Sequence, residues 1–272
     1  MAEPLPPVSY SASLPWWVKV TVGAVLAAIA LYSVRRAVRR SSEIPRWVDE
    51  RTYDRRGVLV PAFVAGVLLA ALAALALDVE HDGVISRTFD GPIHDWFVMH
   101  RVAGLTPVVV FVTDLVSPLG STVLAIVLAT LAARKTRSWV PALIIFIGPS
   151  AAGLLVRLTK WVAPRSRPPQ LDQVVLTIEA SFPSGHVAGA VSLYGCIVVV
   201  ILIGFFGPVS RGRAVAAIAI ATLLSLLVIF TRLYLAVHWF TDVTASVLLS
   251  GVVVCGTLAA YRQFVRTRPP VG

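Results

Sequence analysis

Apolar runs recur along the chain, each close to the length of a bilayer-spanning helix and each closed by a polar or proline-rich connector. A span needs ~20 apolar residues. Residues 16–34, 58–77, 140–158, 214–230 and 240–261 meet that demand, as does a run that begins near His186 and stops before Gly207. The stretch 105–133 is too long for one straight span and contains Pro107 and Pro118, so it divides into a short helix and a spanning one. The seven spans predict an all-α, polytopic membrane bundle. Between 78 and 104 the chain carries Asp78, Glu80, Asp82, Asp90 and Asp95 together with Trp96 and Phe97, which predicts an amphipathic helix lying on the outer surface. Pro164, Pro168 and Pro169 predict an ordered loop on that same side.

Composition agrees with this pattern. Of 272 residues, 57% are hydrophobic and 14% charged, against ~25% charged in ordinary globular domains. The net charge of +10 is explained by position. Arg35, Arg36, Arg39, Arg40, Arg46, Arg51, Arg55 and Arg56 fill one connector. Arg134, Lys135 and Arg137 fill a second, Arg211 and Arg213 a third, and Arg262, Arg266 and Arg268 the C-terminal tail. These are alternate connectors, the distribution that marks cytoplasmic loops. The charge therefore reports topology and attraction to anionic membrane lipids, and no nucleic-acid partner is expected. The first arginine block follows its apolar run, the reverse of a signal peptide, so the N-terminus is expected outside. Cys196 and Cys255 sit within apolar runs, without metal or disulfide spacing. The excess of Arg over Lys, with abundant Ala and Val, points to a bacterial source and hence to the cell (plasma) membrane.

With the spans alternating in this way, three polar clusters fall on one, extracytoplasmic, side. The first is Lys160 with Arg167 and Pro168. The second is Pro183-Ser184-Gly185-His186, and the third is Thr231, Arg232, His238 and Asp242. Ionisable groups at membrane depth are costly, so a convergent set marks a functional site. His238 and Asp242 are spaced i, i+4, which stacks them on one helix face. The carboxylate accepts the Nδ1 proton and leaves Nε2 bare, a nucleophile able to take a phosphoryl group. Lys160, Arg167 and Arg232 neutralise phosphate oxygens, the arginines as forks and the lysine as a point charge. The turn at Ser184 and Gly185 opens a helix whose backbone amides point at the same anion. His186 then stands where it can protonate the leaving oxygen. Arg157 and Arg165 are accessory candidates for a second phosphate. Asp114 reads as a local cap or pair, Tyr234 and Trp239 as packing residues. His81, His94 and His100 read as solvated groups without metal-ligand spacing. Neither a metal nor a cofactor is expected.

Together the clusters resemble the signature of the type 2 phosphatidic acid phosphatase superfamily, which includes membrane lipid phosphatases and soluble acid phosphatases. The match runs from Lys160 to Asp242, and residues 113–121 are similar to the family's external turn before a spanning helix. Ten fixed positions at ~5% each multiply to about 10⁻¹³, which removes chance as an explanation. The resemblance implies a six-helix phosphatase core over 57–262, with an N-terminal tail, extra transmembrane helix and basic connector in 1–56 and a cytoplasmic tail in 263–272. It implies that Lys160, Arg167, Ser184, Gly185 and Arg232 bind phosphate. His186 would be the general acid, His238 the nucleophile and Asp242 its orienting partner. Thr231 stands where the family usually has serine, and the N-terminal helix is additional.

The expected activity is metal-independent hydrolysis of a lipid phosphomonoester or diphosphate through a phosphohistidine. A polyprenyl diphosphate carrier is the favoured substrate, because its release belongs to the extracytoplasmic face and Arg157 and Arg165 add basic groups. Phosphatidic acid, phosphatidylglycerol phosphate and a polyprenyl-linked sugar phosphate are alternatives, as is phosphotransfer to an acceptor other than water. A transporter or a non-catalytic scaffold is the rival from another class; intact motifs argue against the scaffold, and the lack of paired broken helices in repeated halves against the transporter.

Overall fold

Every apolar run read between residues 58 and 261 folds as a helix in the computed structural model, which describes residues 55–266. The expected helix at 16–34 and its arginine block up to Arg51 lie outside the described residues. The helices are α1 (Arg55–Glu80), α2 (Val84–Met99), α3 (Thr106–Leu115), α4 (Pro118–Thr136), α5 (Val140–Val162), α6 (Gly185–Ile203), α7 (Arg211–Tyr234) and α8 (Phe240–Arg266). No strand occurs among the described residues. Six of the helices, all but α2 and α3, are long and apolar enough to cross a membrane. The chain is thus an all-helical, multi-pass membrane protein, and 105–133 divides at Pro118 as its prolines predict.

Local signals set the helix ends. Ser117 and Ser210 cap α4 and α7 by accepting from Gly120 N and Arg213 N at 3.2 and 3.3 Å. Pro118 and Pro141 fall in first turns, where a missing N–H costs nothing. Asp78 accepts from Ile85 N and Ser86 N at 3.0 and 2.8 Å and so fixes the sharp passage from α1 to α2.

The centre of the bundle is α6, half of whose apolar window is buried, whereas α1 and α7 bury only 11% of theirs. It packs against α5, α7 and α8, and α1 lies along α8. Between membrane helices the gain comes from close packing and not from expelling water, so small residues sit at the crossings. A Cβ on Gly148 would lie 2.3 Å from Cys196 Sγ, and one on Gly195 would lie 2.6 Å from Val254 Cγ2. Serines reinforce the α6–α8 seam. Ser246 and Ser250 donate to Ser184 O and Ala188 O at 3.0 and 3.1 Å. The basic ends of α1, α4, α7 and α8 gather at one end of the bundle, where Arg262 reaches Gly57 O at 2.7 Å. The loop 163–184 and the segment 235–239 lie at the other end.

α2 lies at the surface with Val84, Phe89, Trp96 and Met99 exposed, and its polar stripe faces the protein. Ser86, Asp90 and His94, spaced i, i+4, i+8, turn inward and are buried against the rest of the protein. The helix covers the site end of the bundle.

Candidate active site

Four elements converge at that end. α5 ends with Lys160, whose ammonium donates to Ala180 O at 2.5 Å and lies 3.8 Å from Glu179. The following loop supplies Arg167. Its Nε donates to Glu179 O at 2.7 Å, and its Nη1 donates to Val237 O and stands 3.3 Å from His238 Nε2. Burial lowers the proton affinity of this guanidinium, with Asp242 and Glu179 pulling the other way. α7 ends with Arg232, only 5% exposed, whose Nη1 donates to Thr113 Oγ1 of α3 at 2.7 Å. α6 opens with Ser184 at its N-cap, then Gly185 and His186. The charges of Arg232, Arg167 and Lys160 all act on His186, so the three clusters share one electrostatic neighbourhood.

The turn that presents His238 has a local cause. Val237 N reaches Arg232 O and Ala236 N reaches Leu233 O, the paired bonds of a left-handed helix closure. Ala236 takes the left-handed position at φ 51°, where glycine is the usual occupant and a Cβ costs roughly 1 kcal/mol. The closure turns the chain back at once, so His238 and the first turn of α8 follow directly from the end of α7. Asp242 is the third residue of α8 and reaches back to Trp239 N at 2.9 Å, an N-terminal box in which an acid closes the helix start. The same Oδ2 takes His238 Nδ1 at 3.3 Å and Ser181 Oγ. With Nδ1–H bound to the carboxylate, Nε2 is bare. Burial pushes the imidazole down to about 3, Asp242 opposing and Arg232 and Arg167 adding to the fall, so the ring is neutral at physiological pH.

Among the three clusters, two buried donors lack partners: Ser184 Oγ, fully buried, and Arg232 Nε. Buried polar atoms are nearly always bonded. A tetrahedral anion among Ser184, Arg232, Arg167 and Lys160 would satisfy both. A cavity of ≈ 530 Å³ opens beside this pocket within the loop, with Arg165 and Arg167 in its wall. Neither His186 nor His238 lines it.

Several sequence expectations are placed differently. Ser184 N donates to Asp242 O at 3.4 Å and is not free for the anion, which leaves Gly185 N and the Ser184 hydroxyl. Arg165 is occupied, donating at 2.6 Å to both Asp90 and Asp242 and lying 5.7 Å over the Trp239 ring. Arg157 is exposed on α5. His94 is not solvated: it is 8% exposed, bonded to Asp172 at 3.1 Å and packed on Trp239. His81 and His100 are exposed, as is Asp114. Tyr234 and Trp239 do pack, and each also bonds the backbone, through Tyr234 Oη to Val102 and Trp239 Nε1 to Ser166 O. Asp90, Thr113, Ser181 and Thr241 join the site from outside the three polar clusters, and of these only Asp90 carries a sequence signal, the i, i+4, i+8 stripe of α2.

Fold and site define a multi-pass helical membrane protein with buried cations and two histidines gathered at one end of its bundle. Residues 139–266, which carry all three clusters, match the model of the PAP2 superfamily. The fold is similar to the crystal structure of the first transmembrane PAP2 type phosphatidylglycerolphosphate phosphatase, from Bacillus subtilis. The TM-score is 0.65 at 23% identity, covering 76% of this chain and 100% of that one. No curated protein matches the chain.

Proposed function

We propose that the protein is a lipid phosphate phosphatase that works through a phosphohistidine on His238, with its site on the extracytoplasmic face. The observation that carries this reading is the pair of orphaned buried donors, Ser184 Oγ and Arg232 Nε, beside a neutral histidine locked by a carboxylate. A phosphate monoester bound there meets Lys160, Arg167 and Arg232. These cations exchange carbonyl partners for phosphate oxygens and stabilise the charge that develops in the transition state. His238 Nε2 bonds to phosphorus as the P–O bond to the lipid breaks, and His186 donates a proton to that oxygen. His186, now neutral, takes a proton from water as the water displaces His238 from phosphorus. Protein cations meet the phosphate charge at each step, so the reaction is proposed to need no metal.

The cations form one phosphate pocket. The diphosphate-carrier expectation rested on the extracytoplasmic face and on Arg157 and Arg165; of these two arginines the first is exposed on α5 and the second is paired with two carboxylates. A phosphomonoester lipid is therefore the favoured substrate class, and the substrate named for the Bacillus subtilis phosphatase belongs to that class. The deciding assay is kcat/KM on phosphatidylglycerol phosphate, phosphatidic acid and a long-chain polyprenyl diphosphate in mixed micelles. A preference for either monoester above tenfold, ~1.4 kcal/mol of transition-state binding, supports the reading. The reverse preference restores the carrier-lipid substrate.

A further inference from the structure

Asp90 lies on α2, outside the segment that matches the superfamily, yet it is only 5% exposed and bonded at both oxygens. Its Oδ1 accepts from Thr241 N at 2.9 Å, and its Oδ2 accepts from Thr241 Oγ1 at 2.7 Å and Arg165 Nη2 at 2.6 Å. Arg165 Nη1 in turn donates to Asp242 Oδ1 at 2.6 Å. One guanidinium thus bridges two buried carboxylates, and the second of them orients His238.

We propose that Asp90 is a positioning residue that holds the Asp242–His238 pair through Arg165 and keeps that pair electrically negative; this rests on the phosphatase reading above. Were Arg165 paired with Asp242 alone, the two would sum to zero. The imidazolium formed when Nε2 bonds to phosphorus, with its proton still on Nδ1, would then face a neutralised partner. Sharing the arginine with Asp90 leaves the group of three at −1, which offsets the positive charge His238 gains. Asp90 also caps α8 from another helix, since Thr241 is the second residue of α8 and Asp242 the third. The same side chain therefore sets both the place of Asp242 and the charge around it. α2 completes the site, although its sequence carries none of the three polar clusters.

A helix cap alone makes a different prediction from a charge partner, and Asp90→Asn separates them. The amide keeps an oxygen for Thr241 N and loses the charge. The test uses the full chain in detergent micelles, with phosphatidic acid and phosphatidylglycerol phosphate as substrates. Wild type is compared with Asp90→Asn, Asp90→Glu, Arg165→Gln and the Asp90→Asn/Arg165→Gln double variant. Asp90→Asn is expected to melt within a few degrees of wild type, with kcat at least tenfold lower and KM within about threefold. Asp90→Glu is expected to exceed Asp90→Asn in kcat. The double variant, which restores the net charge of −1, is expected to be no worse than either single change. A kcat for Asp90→Asn within twofold of wild type overturns the proposal, as does multiplication of the two single losses in the double variant. If Asp90→Asn does not fold, the comparison passes to Arg165→Gln against the double variant, and a double variant below Arg165→Gln is the overturning result. A wild type that releases no phosphate from either lipid sinks the phosphatase reading itself, an outcome distinct from an active enzyme indifferent to Asp90.

Discussion

Replacing Asp242 by asparagine keeps the shape of the side chain and reverses half of its hydrogen bonding. Four donors meet on the carboxylate: Arg165 Nη1 on Oδ1 at 2.6 Å, and on Oδ2 Ser181 Oγ, Trp239 N at 2.9 Å and His238 Nδ1 at 3.3 Å. An amide offers one accepting oxygen and one donating NH₂. If the NH₂ faces Arg165, a hydrogen bond to a charged group is lost, ~1.5–3 kcal/mol. If it faces His238, Nδ1 must accept and the proton moves to Nε2, the atom that has to attack. In serine proteases the wrong tautomer at a comparable carboxylate–histidine pair lowers kcat by about 10⁴. We therefore expect Asp242→Asn to lose roughly 10³–10⁴ in kcat, ~4–5.5 kcal/mol of barrier, with little change in KM because the phosphate cations are untouched. Phosphate release from phosphatidic acid by purified wild type and variant, matched for melting temperature, measures this. A variant within tenfold of wild type refutes the orienting role.

Three further predictions follow from the same geometry. His238 is held neutral down to about 3 by burial, while an unfolded histidine protonates near 6.5, so stability present above 6.5 is lost as pH falls towards 3. Between pH 6.5 and 4 the wild type should lose more melting temperature than His238→Asn; parallel losses contradict the assignment. Activity should survive EDTA and be blocked by vanadate, a mimic of the five-coordinate phosphorus; loss in EDTA restored by magnesium points to a different chemistry. A cysteine at Leu171, fully exposed in the loop beside the site, should react with an impermeant maleimide in intact cells lacking Cys196 and Cys255. Reaction only after permeabilisation places the site on the cytoplasmic side.

The helices and the clustered cations were legible because hydropathy and motif spacing are one-dimensional signals. A span is one continuous apolar run, and the i, i+4 relation of His238 to Asp242 acts within about a turn of helix. What stayed hidden was pairing across long separations. Arg165 and Arg167 are two residues apart and equally basic, yet one supports a carboxylate while the other stands 3.3 Å from His238 Nε2. That division depends on Asp90, 75 residues upstream, which read as one acid among several on a surface helix. The sequence around Thr113 signals a turn, and only its contact with Arg232 gives it a place at the site. The amide of Ser184 was assigned to the anion from helix geometry alone. The neighbouring α8 carbonyl competes for it, and no pattern along the chain encodes that carbonyl's position.

The central claim is that phosphate passes through His238. Purified protein mixed with radiolabelled phosphatidic acid and quenched within milliseconds should carry a covalent label. It should be lost in acid, stable in base and located by mass spectrometry on the peptide containing His238. His186→Ala should accumulate the label if hydrolysis slows more than attack, and His238→Ala should carry none and release no phosphate. A label on any other residue, or normal phosphate release by His238→Ala, contradicts the account.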